Sequence, residues 1–380
     1  MILPKEILAL NFRKAIAIVD EKRLDKVPTE IAKSVDPLLD RIEFDKSLIQ
    51  VVITSLLKKM MAPQQDIRLH MKKFTNGYSA RVLDTKTTTP FFKEYFPRYA
   101  NKETAFLTKA TRSEIIWNFD EGLKLPFRSK GLIAPFLSLI DKIQKGTINL
   151  DQCMVYIFAN MYILSKNSQM IFDKTTEAAG VYNVININAI VEMLKKHFES
   201  RLSSRLPVIA IYAVYHELFK TLKRYEGKVL RPLNVHTSSD KHGYGDIEIW
   251  NQNGTPFEMI EIKHNIPIDR NMIFDVTKKS EATTIARYYV LTTYVNTFQE
   301  LGEEEYINQL VLKIKQENDL EVIANGIIYS LKYYLRFVEN YHDFLKTYTD
   351  ELIVDAKNST EVKNFHIENW QEILKKYGAG

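Results

Sequence analysis

Apolar residues recur at three- and four-residue spacing over residues 7–19, 48–61, 132–143 and 154–164, a period that predicts helices through the first half of the chain. Between them, residues 75–135 are broken by Asn76-Gly77, Pro90, Pro97, Gly122 and Pro126, which read as turns. A soft boundary falls near 173–183, where Ala178-Ala179-Gly180 and polar residues interrupt the period. It suggests two regions, a mainly helical 1–185 and a second at 186–380. After about residue 204 the pattern changes. Residues 206–225 predict a strongly apolar helix, with Lys220, Lys223 and Arg224 in its last turns and Gly227 to end it. Strands are expected at 229–235, 246–250 and 257–263, a helix from 269 to about 284, and a strand at 287–293. Helices at 300–316 and 327–345 follow. The order helix, three strands, helix, strand predicts an α/β fold behind a largely helical N-terminal region.

Candidate chemistry sits in residues 245–263, Gly-Asp-Ile-Glu-Ile-Trp-Asn-Gln-Asn-Gly-Thr-Pro-Phe-Glu-Met-Ile-Glu-Ile-Lys. Asn-Gly between two alternating runs is a strong hairpin signal. With Asn253 and Gly254 as the two turn residues, opposed positions have numbers summing to 507. Asp246 then faces Glu261, and Lys263 and Glu248 project from the same face. Ile247, Ile249, Ile260 and Ile262 form the opposite, buried face. Two opposed carboxylates repel unless a cation lies between them. A hard divalent ion such as Mg²⁺, which takes one or two carboxylates plus water and phosphate oxygens, answers that repulsion.

Composition narrows the class without deciding it. Hydrophobic residues at 45% and charged residues at 26% suit a soluble globular protein. No apolar stretch is long enough for a bilayer, and the N-terminus does not read as a signal peptide, so a cytoplasmic protein is expected, with no membrane partner. The single cysteine, Cys153, excludes an internal disulfide and a clustered-cysteine zinc site. Net charge is +5, but residues 66–130 hold 13 Lys+Arg against 7 Asp+Glu, a net of +6, which leaves the remainder at −1. That local excess suits a polyanion, and a solvated basic surface is the competing reading. Within it, Arg81, Lys86 and Arg112 are candidate DNA contacts, alongside Arg68, Lys72, Lys73, Arg98 and Arg128.

An Asp followed by Glu-x-Lys on the next strand resembles the PD-(D/E)xK nuclease superfamily. Within it, residues 236–249 (His-Thr-Ser-Ser-Asp-Lys-His-Gly-Tyr-Gly-Asp-Ile-Glu-Ile) resemble type II restriction endonucleases, and residues 78–90 do so more weakly. The resemblance implies an αβββαβ restriction-endonuclease-like core with flanking C-terminal helices, and Mg²⁺-dependent cleavage of double-stranded DNA. It implies metal ligands at Asp246 and Glu261 and a catalytic lysine at Lys263. Gly245 stands where the superfamily usually has proline. Asp84-Thr-Lys86, Glu226-Gly-Lys228, Asp355-Ala-Lys357 and Glu361-Val-Lys363 match the short pattern too, but lack the hairpin.

Glu217, on the apolar helix, is a further acidic candidate for the site; pairing with Lys220 or Arg224 is its alternative. His236, His242 and His264 flank the hairpin without metal-ligand spacing. Cutting both strands of a palindrome favours a homodimer. A repair or junction-resolving nuclease on the same core, or a non-catalytic DNA-binding protein, remain alternatives.

Overall fold

The computed structural model describes residues 3–378 apart from 25–26, 102, 110, 181–184, 234–242, 282 and 299–300. His236, His242 and the first half of segment 236–249 therefore lie outside the described residues. The chain divides into two compact units, Met1–Met170 with Lys357–Thr360, and Ile171–Ala356 with Glu361–Gly380.

The first unit is helical: α1 (Pro4–Asp20), α2 (Thr29–Leu39), α3 (Ile42–Met61), α4 (Ala80–Leu83), α5 (Thr89–Tyr95), α6 (Phe119–Gly122), α7 (Ile133–Lys145) and the first part of α8 (Leu150–Ala178). Its centre is α3, whose residues from Leu48 to Leu57 are all buried. Gln50 and Thr54 can lie there because they bond to Asp84, which is buried in a π-helical turn, Asp84–Thr88. Helix α7 ends at Gly146, whose left-handed φ of +68° lets the chain leave the helix. Helix α8 runs to Ala178 and ends within the residues expected to form a boundary. Its polar second half keeps helical bonding, with Ser165, Ser168, Thr175 and Thr176 donating to carbonyls four residues back.

The second unit is an α/β fold. Helices α9 (Ile187–Phe198) and α10 (Arg205–Thr221) precede β1 (Lys228–Leu230), β2 (Ile247–Asn251), β3 (Pro256–Lys263), α11 (Arg270–Glu281), β4 (Arg287–Thr292), α12 (Leu301–Asn318) and β5 (Glu321–Gly326). Then come α13 (Ile327–Leu335), α14 (Tyr341–Asn358) and α15 (Asn364–Gly378). The strands form one mixed sheet in sequence order, antiparallel from β1 to β3 and parallel from β3 to β5. Ile247, Ile249, Ile260, Ile262, Tyr289 and Leu291 bury one face against α9, α10 and α13. Met259, Tyr288, Val290 and Val322 bury the other against α11 and α12. The sheet is thus covered on both sides, and the hairpin's charged residues do not stand on an open face as expected from sequence.

Two elements differ from expectation. Strand β5, Glu-Val-Ile-Ala-Asn-Gly, has poor strand formers and goes unseen in the sequence; its parallel pairing with β4 supplies what propensity does not. The single helix expected over 327–345 is two, α13 and α14. Asn340 starts the second, its side chain accepting from His342 N and its carbonyl from Phe344 N. No helix among the described residues is long and apolar enough to cross a membrane.

Candidate active site

The hairpin turn lies at Asn253-Gly254, but it has three residues rather than two. Gly254 N donates to Asn251 O at 3.0 Å and Asn251 N donates to Thr255 O at 2.8 Å, with Gly254 at φ +81°. That geometry pairs Trp250 with Pro256. A bulge then leaves Phe257 unpaired and restores the expected register: Ile249 opposes Glu258, Glu248 opposes Met259, and Ile247 opposes Ile260. Two departures cancel. The sequence arithmetic holds in β2 although the turn beneath it differs.

Asp246 stands opposite Glu261 on that count, but one residue before β2 begins. It does not continue the ladder. Its Oδ2 accepts from the backbone N of Ile262 at 2.8 Å, so the β3 backbone holds the carboxylate beside Glu261. Its Oδ1 has no hydrogen-bond donor among the described residues. Gly245 allows the approach: a Cβ there would lie 2.8 Å from the carbonyl oxygen of Ile260.

Glu261 is held by two ammonium groups. Lys263 Nζ lies 2.7 Å from Oε1, and Lys279 Nζ, from α11, lies 3.1 Å from Oε2. Lys279 also donates to the Tyr288 hydroxyl at 3.2 Å, and that hydroxyl donates its one proton to the carbonyl of Tyr244. Glu261, Lys263, Lys279 and Tyr288 line a cavity of about 250 Å³.

The two carboxyls respond to these surroundings in opposite directions. Burial, then the charge of Glu261, pushes Asp246 up to about 6, against the pull of the Ile262 N–H, Lys263 and Arg205. Burial acts to raise Glu261 as well, but Lys279 and Lys263 more than offset it, so Glu261 lies below its ordinary value. Among the described residues no group of three or more His, Cys, Asp or Glu side chains could hold a metal ion. The donor set is these two carboxylates.

Lys279 and Arg205 were not read from the sequence. Ile273 and Val276 are the buried residues of α11, and Lys279 continues their three-residue spacing, so a lysine on the inward stripe needed an acid. Arg205 opens α10 and is buried there; its Nε lies 2.8 Å from Asp355 Oδ2 and its Nη2 has no partner.

Other candidates are engaged elsewhere. Glu248 is buried and accepts from Tyr244 N, Trp250 Nε1 and Arg231, which ties it to the loop before β2. Glu217 is also buried, but both its oxygens accept from Lys220 at 2.8 Å and Oε1 from Thr347 at 2.6 Å. It lies twelve residues, roughly 18 Å along the helix axis, from Arg205, whose charge reaches Asp246. The structure therefore does not bring Glu217 into the cluster. The apolar face carries an acid that went unnoticed: Glu258, fully buried, paired with Arg224 and Tyr225. His264 bonds Ser203 Oγ and Thr293 Oγ1, a structural arrangement.

In the first unit, Arg81, Lys86 and Arg112 are exposed, and their side chains have no partner among the described residues. Arg68 pairs with Asp66 and Asp141, and the buried Arg98 with Glu43, so these two are committed to the fold, whereas Lys73 meets Glu114 in an exposed surface pair. No protein-family model and no curated protein matches this chain significantly.

Proposed function

We propose that this chain is a Mg²⁺-dependent endonuclease that hydrolyses phosphodiester bonds of double-stranded DNA at a specific site, in the manner of type II restriction enzymes. One observation carries the reading: the carboxylate of Asp246 is bonded to the Ile262 N–H, next to Glu261 at the end of β3, while two lysines contact Glu261. The order α10, β1, β2, β3, α11, β4 supports it, since that is the αβββαβ order of the PD-(D/E)xK core.

The donor set fits a hard cation. Asp246 Oδ1 meets no hydrogen-bond donor among the described residues, and burial and a neighbouring negative charge push the carboxyl up to about 6, a cost that a divalent ion removes. Such an ion, held by Asp246 and Glu261, would acidify a water and polarise a phosphoryl oxygen. The protein's own groups do the rest. The Ile262 N–H fixes the aim of Asp246. Lys263 and Lys279 place two positive charges where a phosphodiester would enter the cavity, and stabilise charge that builds on its oxygens during attack. The exposed cations Arg81, Lys86 and Arg112 supply phosphate contacts. A homodimer would present two such sites to the two strands.

The test is digestion of a plasmid with Mg²⁺ or with EDTA. Discrete bands in Mg²⁺ alone support the reading. Cuts confined to junctions or damaged sites would point to a repair nuclease on the same core. Retention of DNA with no cutting under any divalent ion would leave a binding protein.

A further inference from the structure

The carboxyl ends of β3, β4 and β5 open on a second cavity, of about 600 Å³, walled by the end of α9 and the start of α13. That is the size of a site for a single small molecule or nucleotide. In open α/β sheets, this edge is where ligands bind.

Its lining is particular. Among the described residues, Lys195 and Lys332 reach it, both exposed and without a partner, and Glu199 is the only carboxylate on its wall. Beside them stand two large rings left wet, Tyr329 at 70% exposure and Tyr294 at 41%. Unpaired lysines call for an anion, and exposed rings call for a flat apolar surface. A plain anion would leave the rings uncovered, and an apolar peptide would leave the lysines unanswered. A nucleotide supplies both.

The cavity is joined to the strand that carries Lys263. Thr293 on its wall donates its backbone N–H to Lys263 O at 3.0 Å, and its hydroxyl accepts from Asn265 N at 2.8 Å. Lys263 lines the smaller cavity and the next two residues, His264 and Asn265, line this one, so a strand that crosses this end of the sheet passes both. We propose that the cavity receives an unpaired nucleotide of the strand being cut, its base stacked on Tyr329 or Tyr294 and its phosphates on Lys195 and Lys332. The strand's being cut rests on the nuclease reading above; the binding of a single strand here does not.

The test uses the full chain in EDTA and a 12-nucleotide single strand carrying one 5-iodouracil, followed by irradiation and peptide mapping. Cross-links at Tyr329 or Tyr294 are expected. By fluorescence anisotropy, Tyr329→Ala should weaken binding about tenfold, the scale of one lost base–ring stack. The double variant Lys195→Ala/Lys332→Ala should lower the salt slope by roughly 1.4, at about 0.7 per phosphate contact on single strands. Cross-links found only elsewhere, with affinity and slope unchanged, overturn the proposal. So does a free mononucleotide that competes as tightly as the 12-nucleotide strand, because that marks an effector pocket. If the plasmid stays intact while these cross-links form, the nuclease reading falls and the strand site stands. If the plasmid is cut and no cross-link reaches the cavity, the reverse holds.

Discussion

Asp246→Asn should make the metal-free protein more stable and inactive at once. The carboxyl ordinarily ionises near 3.8, and burial beside Glu261 raises it to about 6 in the folded chain. A folded state that holds its proton more tightly than the unfolded chain loses stability as pH rises through that window, and the loss is complete above it. At 1.36 kcal/mol per tenfold change in acidity, the rise amounts to about 3 kcal/mol, a ceiling because the group is only partly shielded from water. Glu261 works in the other sense: its carboxyl is lowered, so it contributes stability above its ordinary value of 4.5, lost as pH falls. Asparagine at 246 removes only the first effect, and its carbonyl can still accept from Ile262 N.

Urea unfolding in EDTA should therefore show the asparagine variant ahead by up to about 3 kcal/mol at pH 8 and by less than about 1 kcal/mol at pH 4. Mg²⁺ should then stabilise the wild type, by an amount that grows with its concentration over the dissociation constant, and stabilise the variant little. A variant less stable than wild type at pH 8 would show that the carboxylate is not under strain there. Equal stabilisation of both proteins by Mg²⁺ would place the ion elsewhere.

Lys263→Ala and Lys279→Ala should each slow cleavage about a hundredfold or more, the usual cost of removing one donor that faces developing charge, with DNA affinity changed only a few-fold; single-turnover kinetics and anisotropy check the two halves. Neutralising Arg81, Lys86 and Arg112 together should flatten the salt dependence of duplex binding by roughly 2.7, at about 0.9 per phosphate contact; an unchanged slope removes them from the interface. Gly245→Ala should cost about 1–3 kcal/mol in urea unfolding, because its Cβ would lie 2.8 Å from the Ile260 carbonyl, in a backbone that cannot move aside cheaply. A neutral result would mean that the segment before β2 is free to shift.

How much of this was legible in the sequence depended on whether a feature was local. The helices around 48–61 and 132–143 declared themselves through their period, because each buries a stripe of its own residues. Ile247, Ile249, Ile260 and Ile262 were legible for the same reason, with period two in place of 3.6. The β2–β3 register up to Ile247 and Ile260 was legible through a local turn, although the three-residue loop and the bulge at Phe257 each broke the arithmetic and restored it only together. What escaped was set by partners distant in the chain. Strand β5 exists because β4 offers it a parallel edge, and nothing within Glu321–Gly326 announces that edge. Lys279 becomes a site residue only when α11 lies across β3, eighteen residues from the acid it holds.

Glu217 shows the converse error. Burial of an acid in an apolar helix demands a partner, and the sequence offered a metal site, Lys220 or Arg224 without choosing among them. Lys220 was one turn away, and Thr347, 130 residues on, completed the set. Asp246 is the different case. Among the described residues its one hydrogen bond leaves Oδ1 unanswered, and its neighbour carries the same charge. A buried acid whose needs are met inside the fold is structure. One whose needs are left over is where a ligand contributes most, and on that criterion Asp246, not Glu217, marks the place to look for chemistry.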